Sequence, residues 1–325
     1  MSESAASTGG KGRKLGFRIG TWLLTLGCFY LVFGRLQGAA ARESLDVWQY
    51  LGRFFGEADW LSWLMLMIPY SVFFFFVDSH VTWRVVKWFN APDLKLTDIL
   101  PVRASAYILS LVNEQVGKGA MSLYLLRRHQ VPGWEALSSM IMLGVMEIYQ
   151  LLVFSAVGVV LFYDVVQRAS TLLPLDRILP AVFLGAALYL PLHMAYFAGR
   201  ILPRSRLRDK PLLAAFRKAR PVHYLLIVLF KAPNLLLAIA VYTLSLQLFN
   251  VNVSFAEMLA FLPVIFLAAA LPLPFHAGAL LLWTVLFPDY PEVGAFSMVM
   301  HTFFVLFNAA IGVLFLPKAN RELFA

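Results

Sequence analysis

Two opposite charges stand far inside apolar runs: Glu147 within Trp134–Phe162, and Lys231, followed by Pro233-Asn234, within Val222–Phe249. An ionised side chain at the centre of a membrane helix costs about 2.5 to 3.5 kcal/mol on insertion scales, so each calls for a partner or a wet cavity. The pair is read either as a structural ion pair or as a site that holds the two ends of a polar headgroup. A second group lies on Asn113-Glu114-Gln115-Val116-Gly117-Lys118-Gly119, which interrupts another apolar stretch. Glu114 and Lys118 have the i,i+4 spacing that pairs charges on a continuous helical turn. A helix starting near Gly119 would instead turn backbone N–H groups and a partial positive charge into the protein, an arrangement suited to phosphate, with Lys118 adding to it. The competing reading has Lys118 snorkel to the interface beside Arg127.

His276 sits on a second interruption, Pro272-Leu273-Pro274-Phe275-His276-Ala277-Gly278, and His301 and Asn308 lie in the last apolar run. Intramembrane histidines are read either as hydrogen-bonded packing or as proton carriers. The expected substrate contacts are therefore Asn113, Glu114, Lys118, Glu147, Lys231 and His276, with His301 and Asn308 secondary. Asp78 and His80 fall toward the end of the run Trp60–Val81 and are expected to reach headgroup water.

Other chemistry is missing from the sequence. It has no His-Glu-x-x-His, Gly-x-Ser-x-Gly, Walker loop or Cys-x-x-Cys, so no catalytic residue, metal site or cofactor is expected. The single cysteine, Cys28, lies in an apolar run and has no partner for a disulfide within this chain.

These residues need helices in a bilayer to position them. Apolar residues make up 60% of the chain and charged residues 14%, with a mean hydropathy of +0.74, which excludes an ordinary soluble domain. Six runs approach or exceed the roughly 20 residues that span a hydrocarbon core: Leu15–Leu36, Trp60–Val81, Trp134–Phe162, Ile178–Leu202, Val222–Phe249 and Val293–Leu316. The net charge of +9 follows membrane topology and is not a nucleic-acid signal. Lys and Arg crowd the N-terminus, the 84–103 loop, Arg127-Arg128, the 200–220 loop and the C-terminus, and thin out elsewhere, which predicts cytoplasmic termini in the plasma (inner) membrane. Lys11 to Lys14, the first apolar run and Ala39-Ala40-Ala41 also allow a cleavable leader, although the run is long and Arg35 interrupts it.

Six spans and two interrupted stretches predict an all-α integral membrane protein with two re-entrant helical hairpins, or eight spans if the hairpins cross. Residues 1–325 form one membrane domain, with a first repeat over 15–165, an inverted second repeat over 178–317 and a basic cytoplasmic linker over 203–220. Ser254-x-x-Glu257 is a capping-box pattern and Thr97-Asp98 a weaker N-cap, each ahead of an interrupted stretch. In the linker, Arg204, Arg206, Arg208, Lys210, Arg217, Lys218 and Arg220 surround Leu212 to Phe216. That segment is read as a surface amphipathic helix for anionic headgroups or as a plain positive-inside anchor.

Asn113 to Gln150, reading NEQVGKGAMSLYLLRRHQVPGWEALSSMIMLGVMEIYQ, resembles the flippase-type membrane domain of lysylphosphatidylglycerol synthases, a family that also contains stand-alone membrane proteins. Leu271 to Gly278, LPLPFHAG, is similar to that family's second Pro/Gly turn. The chain departs from it at Lys118-Gly119, Ser122 and Ile148, where the family carries Gly-Glu and two arginines. The resemblance implies a lipid flippase whose partner is a membrane lipid with an anionic or phosphate-bearing headgroup, without lipid aminoacylation and with self-association left open. A membrane-embedded transferase acting on a lipid-linked substrate and a non-transporting scaffold are the rival readings.

Overall fold

The computed structural model describes residues 6–112, 114–170, 173–271 and 273–324, and their side chains outside 6–15, 110–118 and 322–324. Among the described residues there is helix and loop but no strand. The helices are α1 (Ala6–Arg42), α2 (Val47–Gly56), α3 (Trp60–Phe89), α4 (Leu96–Val112), α5 (Glu114–His129), α6 (Gly133–Leu161) and α7 (Tyr163–Ala169). They continue as α8 (Leu175–Phe197), α9 (Ala214–Lys218), α10 (Pro221–Leu248), α11 (Phe255–Ala269), α12 (Ala277–Leu286) and α13 (Val293–Phe324). In a bilayer each backbone group must find its partner inside the segment, and a helix does this for an apolar run. Six helices, α1 from Gly16 onward, α3, α6, α8, α10 and α13, are long and apolar enough to cross a membrane. The chain is an all-α integral membrane protein.

The remaining apolar helices α4, α5, α11 and α12 measure about 26, 24, 22 and 15 Å at 1.5 Å per residue, short of a hydrocarbon core of about 30 Å. α4 packs on α5, and α11 on α12. α11 begins with the expected reciprocal box: Ser254 Oγ accepts from Glu257 N at 3.2 Å, and Glu257 Oε2 accepts from Ser254 N at 2.8 Å. Thr97 does not cap α4. The helix starts one residue earlier, and Asp98 Oδ2 accepts from Lys95 N at 3.1 Å.

Several expected boundaries move. α3 runs on to Phe89, about 12 Å beyond Val81. α5 starts at Glu114 rather than near Gly119, so both glycines lie inside a helix and the N-terminus expected there for phosphate is not formed. The 37–58 region is largely helical, because α1 continues to Arg42 and Asp46 caps the amphipathic α2, accepting from Gln49 N at 2.9 Å. Phe197 ends α8, and within the linker Ala214, Ala215 and Phe216 turn inward. Phe216 stacks on Phe197, and Ser138 Oγ accepts from Ala215 N at 2.9 Å. Lys218 donates to Phe89 O at 3.2 Å and to Glu135 Oε2 at 2.9 Å. The linker's apolar residues therefore pack against the protein and do not form a separate face for headgroups. The same bonds hold the end of α3 and the starts of α6 and α10 on one side of the molecule.

The main helix pairings map onto one another when the two halves are interchanged. α3 lies along α10, α6 packs on α11 of the second half, and α13 packs on α4 of the first. Both cross-half crossings use a glycine: a Cβ on Gly158 would stand 2.4 Å from Leu259 O, and one on Gly312 2.5 Å from Ala104 O. The two glycines, like the two carbonyls, lie about 155 residues apart in the chain. Small residues at crossings let backbones approach closely, which is the main source of helix association where lipid is as apolar as the side chains. Between the crossings, Met67, Ile239, Leu246, Leu262, Ile265 and Phe296 fill the largest core. At the opposite end from the linker, buried Tyr50 of α2 donates its hydroxyl to Glu292 Oε2 at 2.6 Å, tying α2 to the start of α13.

Alanine at Gly158 or Gly312 should destabilise the protein by about 1 to 3 kcal/mol, as over-packing does. Alanine at Gly185, which has open space around it, should leave stability unchanged or slightly raised. Melting temperatures in one detergent check the contrast. A second outcome concerns pH. Burial pushes the Glu292 carboxyl up, against the hydrogen bond from Tyr50, which pulls it down. Because the folded value is raised, this group's contribution is fully present below the ordinary carboxylate value and declines as pH rises through the raised one. The fall in melting temperature from about pH 4.5 upward should be smaller in Glu292→Gln.

Candidate functional site

Where α3, α4, α6 and α10 meet, four ionised side chains gather. Asp78 Oδ2 accepts from Arg103 Nε and from the Tyr107 hydroxyl, each at 2.6 Å. The Arg103 guanidinium also lies 5.1 Å from the centre of the Tyr107 ring. Beside this, Lys231 Nζ is 3.1 Å from Glu147 Oε2. Lys231 is within electrostatic reach of Asp78, and Glu147 of Arg103. Two carboxylates and two cations thus form one neutral cluster.

Helix geometry sets its depth. Asp78 lies about 17 Å from the end of α3, Lys231 about 15 Å from the start of α10, and Glu147 about 21 Å from the start of α6. All three distances run from the side of the molecule that carries the linker, so the cluster sits well inside the apolar layer. Its members differ in exposure. The Lys231 side chain is 8% exposed and that of Asp78 9%, whereas Glu147 is 54% exposed, so the cluster is closed on the α3–α4 side and open at Glu147.

Neighbouring polar groups extend the cluster along the same helices. One turn beyond Glu147, Gln150 is buried and its Nε2 has no hydrogen-bond partner. One turn beyond Lys231, Asn234 is buried, with Nδ2 3.5 Å from Phe74 O and Oδ1 unpartnered. α6 also lines, with α8, an apolar groove formed by Ile148, Tyr149, Leu152, Val182 and Gly185.

Of the expected site residues, the structure brings Glu147 and Lys231 together. His276 and His301 also meet, with ring centres 4.3 Å apart, but in a separate place. His276 Nδ1 donates to Ala269 O at 3.0 Å and, like Phe275, adopts a left-handed backbone, φ 50° and 56°. Such conformations are sparsely populated for residues with a Cβ. Asn308 Nδ2 donates to Phe304 O of its own helix at 2.8 Å, a packing role. Asn113 lies outside the described residues, as do the side chains of Glu114 and Lys118. Among the described residues no group of three or more His, Cys, Asp or Glu could hold a metal ion.

Asp78, Arg103 and Tyr107 are absent from the expected set. The apolar run puts Asp78 near a helix end and headgroup water, but the extra turns of α3 bury it. Arg103 falls in the stretch that the charge pattern reads as the 84–103 loop, yet α4 begins at Leu96 and carries it inward. The available signal was the pairing itself: an acid and a base on consecutive apolar segments, with a tyrosine one turn beyond the base. Protein-family models, curated proteins and solved structures were compared with the chain, and none matches it.

Replacing Asp78 by Asn or Arg103 by Gln should each lower stability by about 3 to 5 kcal/mol, because an uncompensated charge would remain buried. The double replacement should recover a large part of that loss. A double-mutant cycle from thermal or denaturant unfolding measures the coupling.

Proposed function

We propose that this protein moves a polar-headed lipid between the leaflets of the plasma (inner) membrane, with both termini in the cytoplasm. The observation that carries this reading is Glu147: a carboxylate more than half exposed near the middle of a long apolar helix, joined to a buried lysine. Water or a polar ligand must reach such a group, because exposure to hydrocarbon would cost several kcal/mol. A headgroup held in a polar groove at this depth, with its acyl tails left in lipid, avoids carrying charge through hydrocarbon. The apolar groove between α6 and α8 offers surface for tails on the helix that bears Glu147.

In this reading α4–α5 and α11–α12 are re-entrant hairpins entering from opposite sides, and the two halves are inverted repeats. Their lengths, short of a hydrocarbon core, support the first point. The interchangeable packing and the matched glycine crossings support the second. Sites near the midplane at the meeting of such repeats are the usual arrangement in secondary transporters. The resemblance to the membrane domain of lysylphosphatidylglycerol synthases points the same way, and its in-span acid is Glu147.

In proteoliposomes with fluorescent phospholipids and a membrane-impermeant quencher, the protein should accelerate leaflet exchange over empty vesicles. Glu147→Gln and Lys231→Ala should each reduce that exchange about tenfold or more. Unchanged exchange in both folded variants would remove the cluster from the path, and no exchange for any headgroup would count against lipid movement.

A further inference from the structure

We infer that the headgroup recognised at this cluster is zwitterionic, a phosphate joined to a primary ammonium, and that Glu147 and Lys231 part to hold its two ends. The inference rests on the proposed lipid transport and specifies its substrate class.

The argument begins with charge balance. Asp78 and Arg103 are committed to each other, with Tyr107 filling a further acceptor position on the carboxylate. Lys231 and Glu147 are joined by a single contact of 3.1 Å, and one of the two is exposed. This second pair can open without uncovering a buried charge on the α3–α4 side.

What enters must satisfy both ions once they separate. An anionic headgroup would take Lys231 and leave Glu147 unpaired at mid-membrane depth. A neutral sugar headgroup would leave both partly unpaired. Since an unpaired charge at this depth is costly, only a headgroup with one anion and one cation keeps every ion matched. The phosphate then lies on Lys231 and the ammonium on Glu147.

The Glu147 carboxylate also sets the kind of cation: a primary ammonium has three donors for it, whereas a quaternary one has none.

The test measures selectivity, which a purely structural ion pair would not set. Binding of dihexanoyl phosphatidylethanolamine, phosphatidylglycerol and phosphatidylcholine to the detergent-solubilised protein is followed by thermal shift. Exchange of the corresponding fluorescent lipids is followed in phosphatidylcholine vesicles. The parent protein should prefer the ethanolamine lipid over both others by about tenfold in affinity. Glu147→Gln should invert the preference between the ethanolamine and glycerol lipids, because Lys231 is then free to take a net negative headgroup. Lys231→Gln should weaken binding of all three lipids, whose phosphate Lys231 holds, and serves as a second probe if Glu147→Gln unfolds.

Equal affinities for the three lipids in the parent, a preference order unmoved by Glu147→Gln, or affinities unmoved by Lys231→Gln, would overturn the inference even if exchange is rapid. Selective binding that shifts as expected, without exchange of any lipid, would uphold the headgroup site and refute transport.

Discussion

The hydrogen-bonded ion pair between Asp78 and Arg103 is the constraint on which the centre of this molecule depends. Neither charge can stand alone in hydrocarbon, so α3 and α4 must meet at one register, and Tyr107 one turn further on α4 fixes that register. Once α3 is placed, α10 lies along it and brings Lys231 to the same depth. Glu147 on α6 then completes a neutral set. Helices that gain little from hydrophobic association inside a bilayer acquire specificity in this way, through a few polar contacts and close backbone crossings.

The cluster divides labour between two kinds of ion pair. One is buried, accepts an extra hydroxyl and sits at the junction of two packed helices, so it behaves as scaffold. The other is held by one contact and opens to its surroundings at Glu147. The proposed headgroup site draws on both properties, since a rigid frame would let the second pair exchange partners without losing the arrangement around it.

Much of the fold was legible in the sequence because the bilayer is a severe filter. Runs of twenty apolar residues have few alternatives to a spanning helix, and all six expected spans are found within a few residues at most ends. The capping box at Ser254 was readable because its two residues act over one turn. Helix ends in polar or amphipathic stretches were less legible. Nothing in Thr82 to Phe89 signals a stop to a helix, but its charges lower the local hydropathy, so α3 looked shorter than it is and Asp78 shallower. For the same reason Arg103 reads as a loop charge. Glycine misled in the other direction: Gly117 and Gly119 suggested a break, yet α5 runs through both, since a helix in a packed or apolar setting tolerates glycine at modest cost. Glu147 and Lys231 were legible because each is a charge deep inside an apolar run. The meeting of His276 and His301 was not, because it depends on how α13 passes the α11–α12 turn.

The crossings at Gly158 and Gly312 bear on how the chain is made. α4 completes its packing only on α13, made about 200 residues after Ala104 leaves the ribosome. At 5 to 20 residues per second this is an interval of about 10 to 40 s. During that time the first half cannot close its own core, although Asp78 and Arg103 are already present to hold α4 against α3. The flank of α4 that will receive Gly312 stays open to lipid and to the insertion machinery until α13 has been made. The two halves thus mature together, each serving as the missing wall of the other.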